Sequence, residues 1–187
     1  MAAKTILSVE QIESLTGGDR NDLCEAAEAA IAAGGGFGWL KPPPREVLEN
    51  FWRGVLLVPE RSLFVGRLDG VIGGSAQLMR PTRNNEAQAH AATLTAIFVA
   101  PWARGHGLGR ALVLATENAA RSEGFAVLNL DVRETQTAAI KLYESLGYVR
   151  WGSHPRYARV GNAWVGGYFY SKELLMDSEV AAQERLP

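Results

Sequence analysis

The rhythm of hydrophobic and polar positions changes along the chain. SLFVGRL (62–68) and VIGGSAQLM (71–79) are short apolar runs, and Asp69-Gly70 between them reads as a two-residue hairpin turn. ATLTAIFVA (92–100) is a third run of this kind and ends at Pro101. Leu108, Ala111, Leu112, Ala115 and Ala119 then recur at helical spacing, predicting an amphipathic helix from Gly107 to about Ser122 that Gly124 stops. AVLNLDV (126–132) reads as a strand, and Ala139, Leu142, Tyr143 and Leu146 mark a second helix, closed by Gly147. Two β-prone runs flank Gly161-Asn162, which predicts a second hairpin.

Upstream of residue 62 the pattern is helical. AAEAAIAAGGG (26–36) favours helix until Gly34–Gly36 stop it, and PPP (42–44) precedes a second helix from Arg45 to about Leu57. Phe37, Trp39 and Leu40 fall in the loop between, facing core or ligand. PTRNNEAQAH (81–90) is a polar surface loop. The expected order is therefore helices, hairpin, strand, helix, strand, helix, hairpin. A strand-helix-strand unit implies a parallel pair, and the hairpins beside it are antiparallel. The class is α/β (α+β): a mixed, mostly antiparallel twisted sheet with a central parallel strand pair and helices on both faces. One domain over residues 1–175 and a polar tail over 176–187 are expected.

Composition narrows the function. With 187 residues, a formal net charge of -1 and 47% hydrophobic residues, the chain is an ordinary globular one, not a protein built to coat nucleic acid or an anionic membrane. Its one cysteine, Cys24, excludes an intrachain disulfide and a thiolate zinc cluster. Three scattered histidines (His90, His106, His154) make no metal site. The N-terminus lacks an apolar signal region and no stretch is long enough to span a bilayer, so a soluble, cytoplasmic protein is expected.

The chemistry concentrates in TAIFVAPWARGHGLGRALVLATENAA. A β run enters a loop holding Arg104, Gly105, Gly107 and Gly109, and a helix starts inside it. The first amides of a helix are unpaired and carry a partial positive charge of about half a unit, and glycine lets backbone approach a bulky anion. Such an arrangement binds phosphate or pyrophosphate, with a tight packing turn that holds no ligand as the alternative. Rossmann folds and P-loops use the same physics. Here, however, no Gly-Lys-Ser/Thr is present, and the turn lies mid-chain without a repeated strand-helix-strand unit.

Arg104-Gly105-His106-Gly107-Leu108-Gly109 resembles the acetyl-CoA-binding loop of the GNAT superfamily, Arg/Gln-x-x-Gly-x-Gly/Ala. Ile97-Phe98-Val99-Ala100-Pro101 resembles that family's fourth strand and its exit. Ala139-x-x-Leu142-Tyr143-x-x-x-Gly147-Tyr148 resembles its later Ala-x-x-Leu-Tyr-x-x-x-Gly-Phe/Tyr motif, and the likeness covers about residues 60 to 172. It implies an acetyl-CoA-dependent N-acetyltransferase without metal. The backbone from Arg104 to Gly109, with Arg110 beside it, would hold the pyrophosphate. The pantetheine arm would pair along Ile97, Phe98 and Val99, and the Val99 amide would face the thioester carbonyl. Gln136 stands where the family usually has asparagine, which implies a shifted cofactor contact. The fourth strand also lacks the glutamate that many members use as general base.

Tyr143 is the side chain the resemblance implies as proton donor to the departing thiolate, although it also fits a simple packing stripe. Asp131, which interrupts the apolar alternation of Leu128, Leu130 and Val132, is the favoured base. Burial between parting strands would raise its affinity for a proton, and a solvent-facing or ion-paired role is the alternative. Glu134 is the weaker candidate, and His106 reads as an exposed loop residue. Phe37, Trp39, Arg156 and Tyr157 occupy places that form substrate walls in the family. The expected acceptor is a primary amine on a small molecule, with direct attack on the thioester. Protein N-termini or lysines, and a catalytically inactive acetyl-CoA sensor, are the alternatives. A homodimer is compatible with the sequence, and neither nucleic acid nor membrane is expected as partner.

Overall fold

The computed structural model describes residues 5–35 and 37–174; the predicted tail at 176–187 and Gly36 lie outside them. Within these residues the order is β1 (Leu7–Ile12), α1 (Gly17–Ala32), α2 (Arg45–Leu57), β2 (Arg61–Leu68), β3 (Val71–Met79), β4 (Ala91–Val99), α3 (Leu108–Ser122), β5 (Val127–Arg133), α4 (Thr137–Ser145), β6 (Val149–Val160) and β7 (Ala163–Glu173). The sheet runs β1-β2-β3-β4-β5-β7-β6. The parallel pair is β4 with β5, through Ala91↔Val127, Ala92↔Leu128 and Thr93↔Asn129, and its neighbours β1–β2, β2–β3, β5–β7 and β6–β7 are antiparallel. The mixed class read from the sequence is the one observed.

Contacts divide the chain into two compact units, Met1–Met79 with Leu94–Thr116 and Arg80–Thr93 with Glu117–Pro187. In the first, strand β1 precedes the helices, contrary to the expected order. Its pattern is only half-buried, and what fastens it lies far along the chain. Ile6 N–H donates to Asp69 Oδ1 at 2.8 Å, while Arg67 on β2 reaches Glu10 at 2.7 Å and Asp19 on α1 at 2.8 Å. Helix α1 starts at Gly17, nine residues before the alanine-rich run, because Thr16 accepts from the Asp19 amide as N-cap. It ends in a Schellman motif: Gly34, at φ 77, donates to Ile31 O and Gly35 to Ala30 O. Arg45 at the head of α2 bonds Asn21 and Glu28 on α1. Leu23, Cys24, Ile31, Leu48, Trp52, Leu63, Val65 and Ile72 form this unit's core.

Three glycines bring α3 and its leading turn flush against the strands. A Cβ on Gly66 would lie 2.7 Å from Leu108, one on Gly73 2.6 Å from Ala103, and one on Gly74 2.5 Å from the Phe98 carbonyl oxygen. The Ala100 amide donates to Gly73 O at 2.8 Å, closing the exit of β4 onto β3. Helix α3 has the predicted period but a rotated face. Leu108, Leu112, Val113, Thr116, Glu117 and Ala120 are its buried residues, whereas Ala111, Ala115 and Ala119 are only half-buried.

In the second unit, Leu128, Leu130 and Val132 supply the buried face of β5. Buried Glu117 pairs with Lys172 on β7 at 2.6 Å, and Arg80 pairs with Glu123 at 2.6 Å. Gly124 and Gly147 terminate α3 and α4, each at φ 87 and each in a Schellman motif. Both predicted hairpins form: Asp69 (φ 49) and Gly70 (φ 89) make the first turn, and Gly161 (φ 59) opens the second. Among the described residues no helix is long and apolar enough to cross a membrane.

Glycine substitutions separate close approach from helix propensity. Gly74→Ala sets a methyl group against a backbone oxygen and should destabilise by about 1–3 kcal/mol. Gly54→Ala, inside α2 with open space around it, should stabilise by roughly 0.5–1 kcal/mol. Urea unfolding of the two variants measures both signs.

Candidate functional site

In the first unit β4 leads into the turn that opens α3. Ala96 sits mid-strand at φ 49, a left-handed conformation rare for alanine, and a residue so placed bends its strand. Ile97, Phe98 and Val99 follow it, with Phe98 buried. A 3-10 turn at Pro101–Ala103 then leads to Arg104, whose Nε donates to the Val99 carbonyl at 3.2 Å. Gly105 and Gly107 take φ 82 and 83, and a Cβ at either would meet nothing within 4 Å. The first intrahelical bond of α3 runs from Ala111 N–H to Gly107 O, so the amides of Leu108, Gly109 and Arg110 precede it at the positive end of the helix. Arg104, Gly105, His106, Gly107 and Arg110 are exposed, and Leu108 is buried as the anchor beneath them. The turn thus presents amides, positive charge and open space together. These residues fit the pyrophosphate of a coenzyme.

A cleft of about 450 Å³ in the same unit is lined by Asp22, Glu25, Asp69, Trp102 and His106 among others. Its three carboxylates would repel a polyphosphate, so it is unsuited to the coenzyme's anionic end. Phe37 and Trp39, expected at a substrate wall, are half-buried against the core. Their rings meet edge-on at 5.4 Å, and Phe37 also lies against Phe51, Trp52 and Phe98.

The second unit holds the remaining candidates. Tyr143 on α4 is 3% exposed, with Tyr148 edge-on at 5.8 Å and Tyr170 at 6.4 Å. The Schellman motif that ends α4, in which Tyr148 N–H donates to Tyr143 O, is what sets the first two rings together. Burial, and secondarily the negative charge of Asp131, hold the Tyr143 phenol well above its ordinary 10.0, so it keeps its proton at neutral pH.

Asp131 departs from the expectation in two ways. It does not interrupt the alternation of Leu128, Leu130 and Val132, because it occupies the opposite, outward phase of β5, and it is exposed instead of buried. Its carboxylate accepts the hydroxyl proton of Tyr157. Glu134 is pinned elsewhere, accepting from the Gly166 amide at 2.9 Å. Gln136 caps α4 by position, at φ -87 and ψ 59, with no side-chain capping bond. Arg156 is exposed, its guanidinium 5.7 Å from the Trp164 ring centre. The bond between Tyr157 and Asp131, which the sequence reading assigned to separate roles, joins residues 26 apart and has no local signal. Among the described residues no group of three or more His, Cys, Asp or Glu is arranged to hold a metal ion.

A glycine turn at a helix N-terminus behind a kinked strand, followed by a strand and a tyrosine-bearing helix, defines an acyl-coenzyme A-dependent transferase. Residues 23–148 match the acetyltransferase (GNAT) family, and the chain belongs to it. It is 68% identical over 132 residues to an N-acetyltransferase of the hisH-hisA intergenic region of Azospirillum brasilense, covering 71% of this chain and 79% of the relative. A GCN5-related N-acetyltransferase from Kribbella flavida superposes with a TM-score of 0.72 at 28% identity, over 89% of this chain and 97% of that one. The yncA protein of Salmonella typhimurium, solved with its cofactor acetyl-CoA, shares the fold at a TM-score of 0.72 and 19% identity, over 91% and 95% of the two chains.

Gly107→Val should weaken acetyl-CoA binding at least tenfold, about 1.4 kcal/mol, since valine both resists φ 83 and fills the space over the turn. Calorimetry on the folded variant measures it.

The tyrosines also set an alkaline limit. Tyr143, Tyr148, Tyr157 and Tyr170 are all held above 10.0, chiefly by burial, and burial pushes the Cys24 thiol from 9.0 up to about 11. Raised folded values mean that the unfolded chain ionises first. Their contribution to stability is therefore whole below about pH 9 and is lost as pH rises through 9 to 11 and beyond. Thermal melts across pH 7 to 11 should show Tm falling over that window.

Proposed function

We propose that the chain transfers the acetyl group of acetyl-CoA to a primary amine of a small molecule by direct attack on the thioester. The observation that carries this reading is the exposed turn at Arg104–Gly109, whose amides precede the first bond of α3 and whose two left-handed glycines keep the space above them open. Bound acetyl-CoA supplies an activated acyl group on a thiol leaving group. The turn amides and Arg104 bind its phosphates, with Arg110 beside them, and the Val99 amide stabilises negative charge on the carbonyl oxygen.

Tyr143 gives its proton to the departing sulfur. Its buried, proton-retaining phenol supports that role, because an acid that stayed ionised at neutral pH could not donate. Asp131 accepts the proton of the attacking amine, directly or through water. Phe37, Trp39 and Arg156 contribute to the acceptor's surroundings. A panel of amines with detection of released thiol tests the activity. Release that stays at the rate of the acetyl-CoA-only control with every amine would sink it in favour of an acetyl-CoA-binding sensor.

Tyr143→Phe should reduce kcat by about a hundredfold or more while leaving acetyl-CoA affinity in place. Equal kcat in wild type and variant across pH 6 to 9 would reduce Tyr143 to a packing residue. Asp131→Asn should likewise lower kcat without loss of coenzyme affinity.

A further inference from the structure

The chain between His154 and Ala158 breaks the register of β6 against β7: His154 faces Gly167 and Ala158 faces Val165, so Pro155, Arg156 and Tyr157 stand opposite Gly166 alone. A bulge of this kind re-aims a side chain. Here it turns Tyr157 back across β7. The ring lies where a side chain on Gly167 would be, and a Cβ there would come within 2.2–2.6 Å of three ring carbons. Phe169 braces it edge-on at 6.0 Å and 80°. Having crossed β7 at its glycine, the hydroxyl reaches Asp131 on β5, the register partner of Phe169, and donates to its carboxylate. A bulge, a glycine and an aromatic brace thus combine to deliver one hydroxyl to one exposed carboxylate.

An exposed aspartate without such a partner would sample several rotamers in water. We propose that Tyr157 is a positioning residue for acyl transfer: its hydroxyl holds the Asp131 carboxylate in one orientation, and Gly167 is glycine because the phenol must pass over it. The inference rests on the role given above to Asp131. It moves Tyr157 from the substrate wall, where the family resemblance put it, to the support of the proton acceptor. The negative charge of Asp131 also adds to burial in raising both the Tyr143 and the Tyr157 phenols.

A double-mutant cycle tests this. Thiol release is followed with the fastest amine of the panel. Tyr157→Phe keeps the ring and removes only the hydroxyl. It should lower kcat on the order of tenfold with KM for acetyl-CoA unchanged, as misplacement of a reacting group does. In an Asp131→Asn background the same substitution should cost nothing further, since it acts only through the carboxylate. A packing role would instead give equal losses in both backgrounds, which overturns the proposal. Gly167→Ala, which displaces the ring, should reproduce the Tyr157→Phe defect, and full activity in that folded variant also overturns it. Wild-type kcat in Tyr157→Phe beside a slow Asp131→Asn removes Tyr157 alone. Wild-type kcat in Asp131→Asn beside a slow Tyr143→Phe removes the role of Asp131 and leaves acetyl transfer standing. Thiol release from the wild type that no amine raises above the acetyl-CoA-only control means that the functional reading itself has failed.

Discussion

Main-chain atoms meeting where side chains are missing are the constraint on which the glycine turn at Arg104–Gly109 depends. Gly73 and Gly74 bring β3 against the exit of β4 and the 3-10 turn after it, and Gly66 admits Leu108 and Leu112. With those approaches made, the buried Leu108 anchors the first turn of α3 while Gly107 and Arg110 around it stay exposed. The amides at the head of the helix are thereby fixed in direction before any ligand arrives. Preorganisation of this sort means that binding need not freeze a mobile loop.

In the second unit helix ends and glycines do comparable work by other means. The Schellman motif at Gly147 stops α4 and in the same stroke sets Tyr148 edge-on against Tyr143. In β7 the adjacent Gly166 and Gly167 seat two different guests, the Glu134 carboxylate and the Tyr157 ring. Local stop signals and vacant Cβ positions therefore govern which side chains become neighbours.

Local signals were legible in the sequence because their causes are local. Asp69-Gly70, Gly161-Asn162, Gly124 and Gly147 declare turns and helix ends through the φ values they permit, and α2 starts directly after the prolines that announce it. The glycine turn at Arg104–Gly109 was legible for the same reason. Strand β1 was not, since LSVEQI takes its partners from far along the chain, pairing with Leu63–Leu68 on β2 and, through Glu10, with Arg67. The rotated face of α3 escaped because Thr116 and Glu117 are buried polar residues, satisfied at least in part by Leu112 O and by Lys172. Phase on β5 misled too: Asp131 looked like an interruption of an apolar run when it belongs to the other face. Its link to Tyr157 depends on a bulge, and bulges leave little trace in a single sequence.

Cys24 carries a last consequence. It is the chain's single cysteine and is wholly enclosed, and its thiol stays protonated to about pH 11. Only the thiolate exchanges with thioesters or disulfides at a useful rate. An enzyme that handles thioesters therefore offers them no sulfur of its own, and its folded chain is protected against acyl exchange onto itself. The same seclusion makes the native protein chemically quiet toward disulfide reagents, so colour developed by such a reagent counts coenzyme thiol and nothing from the polypeptide.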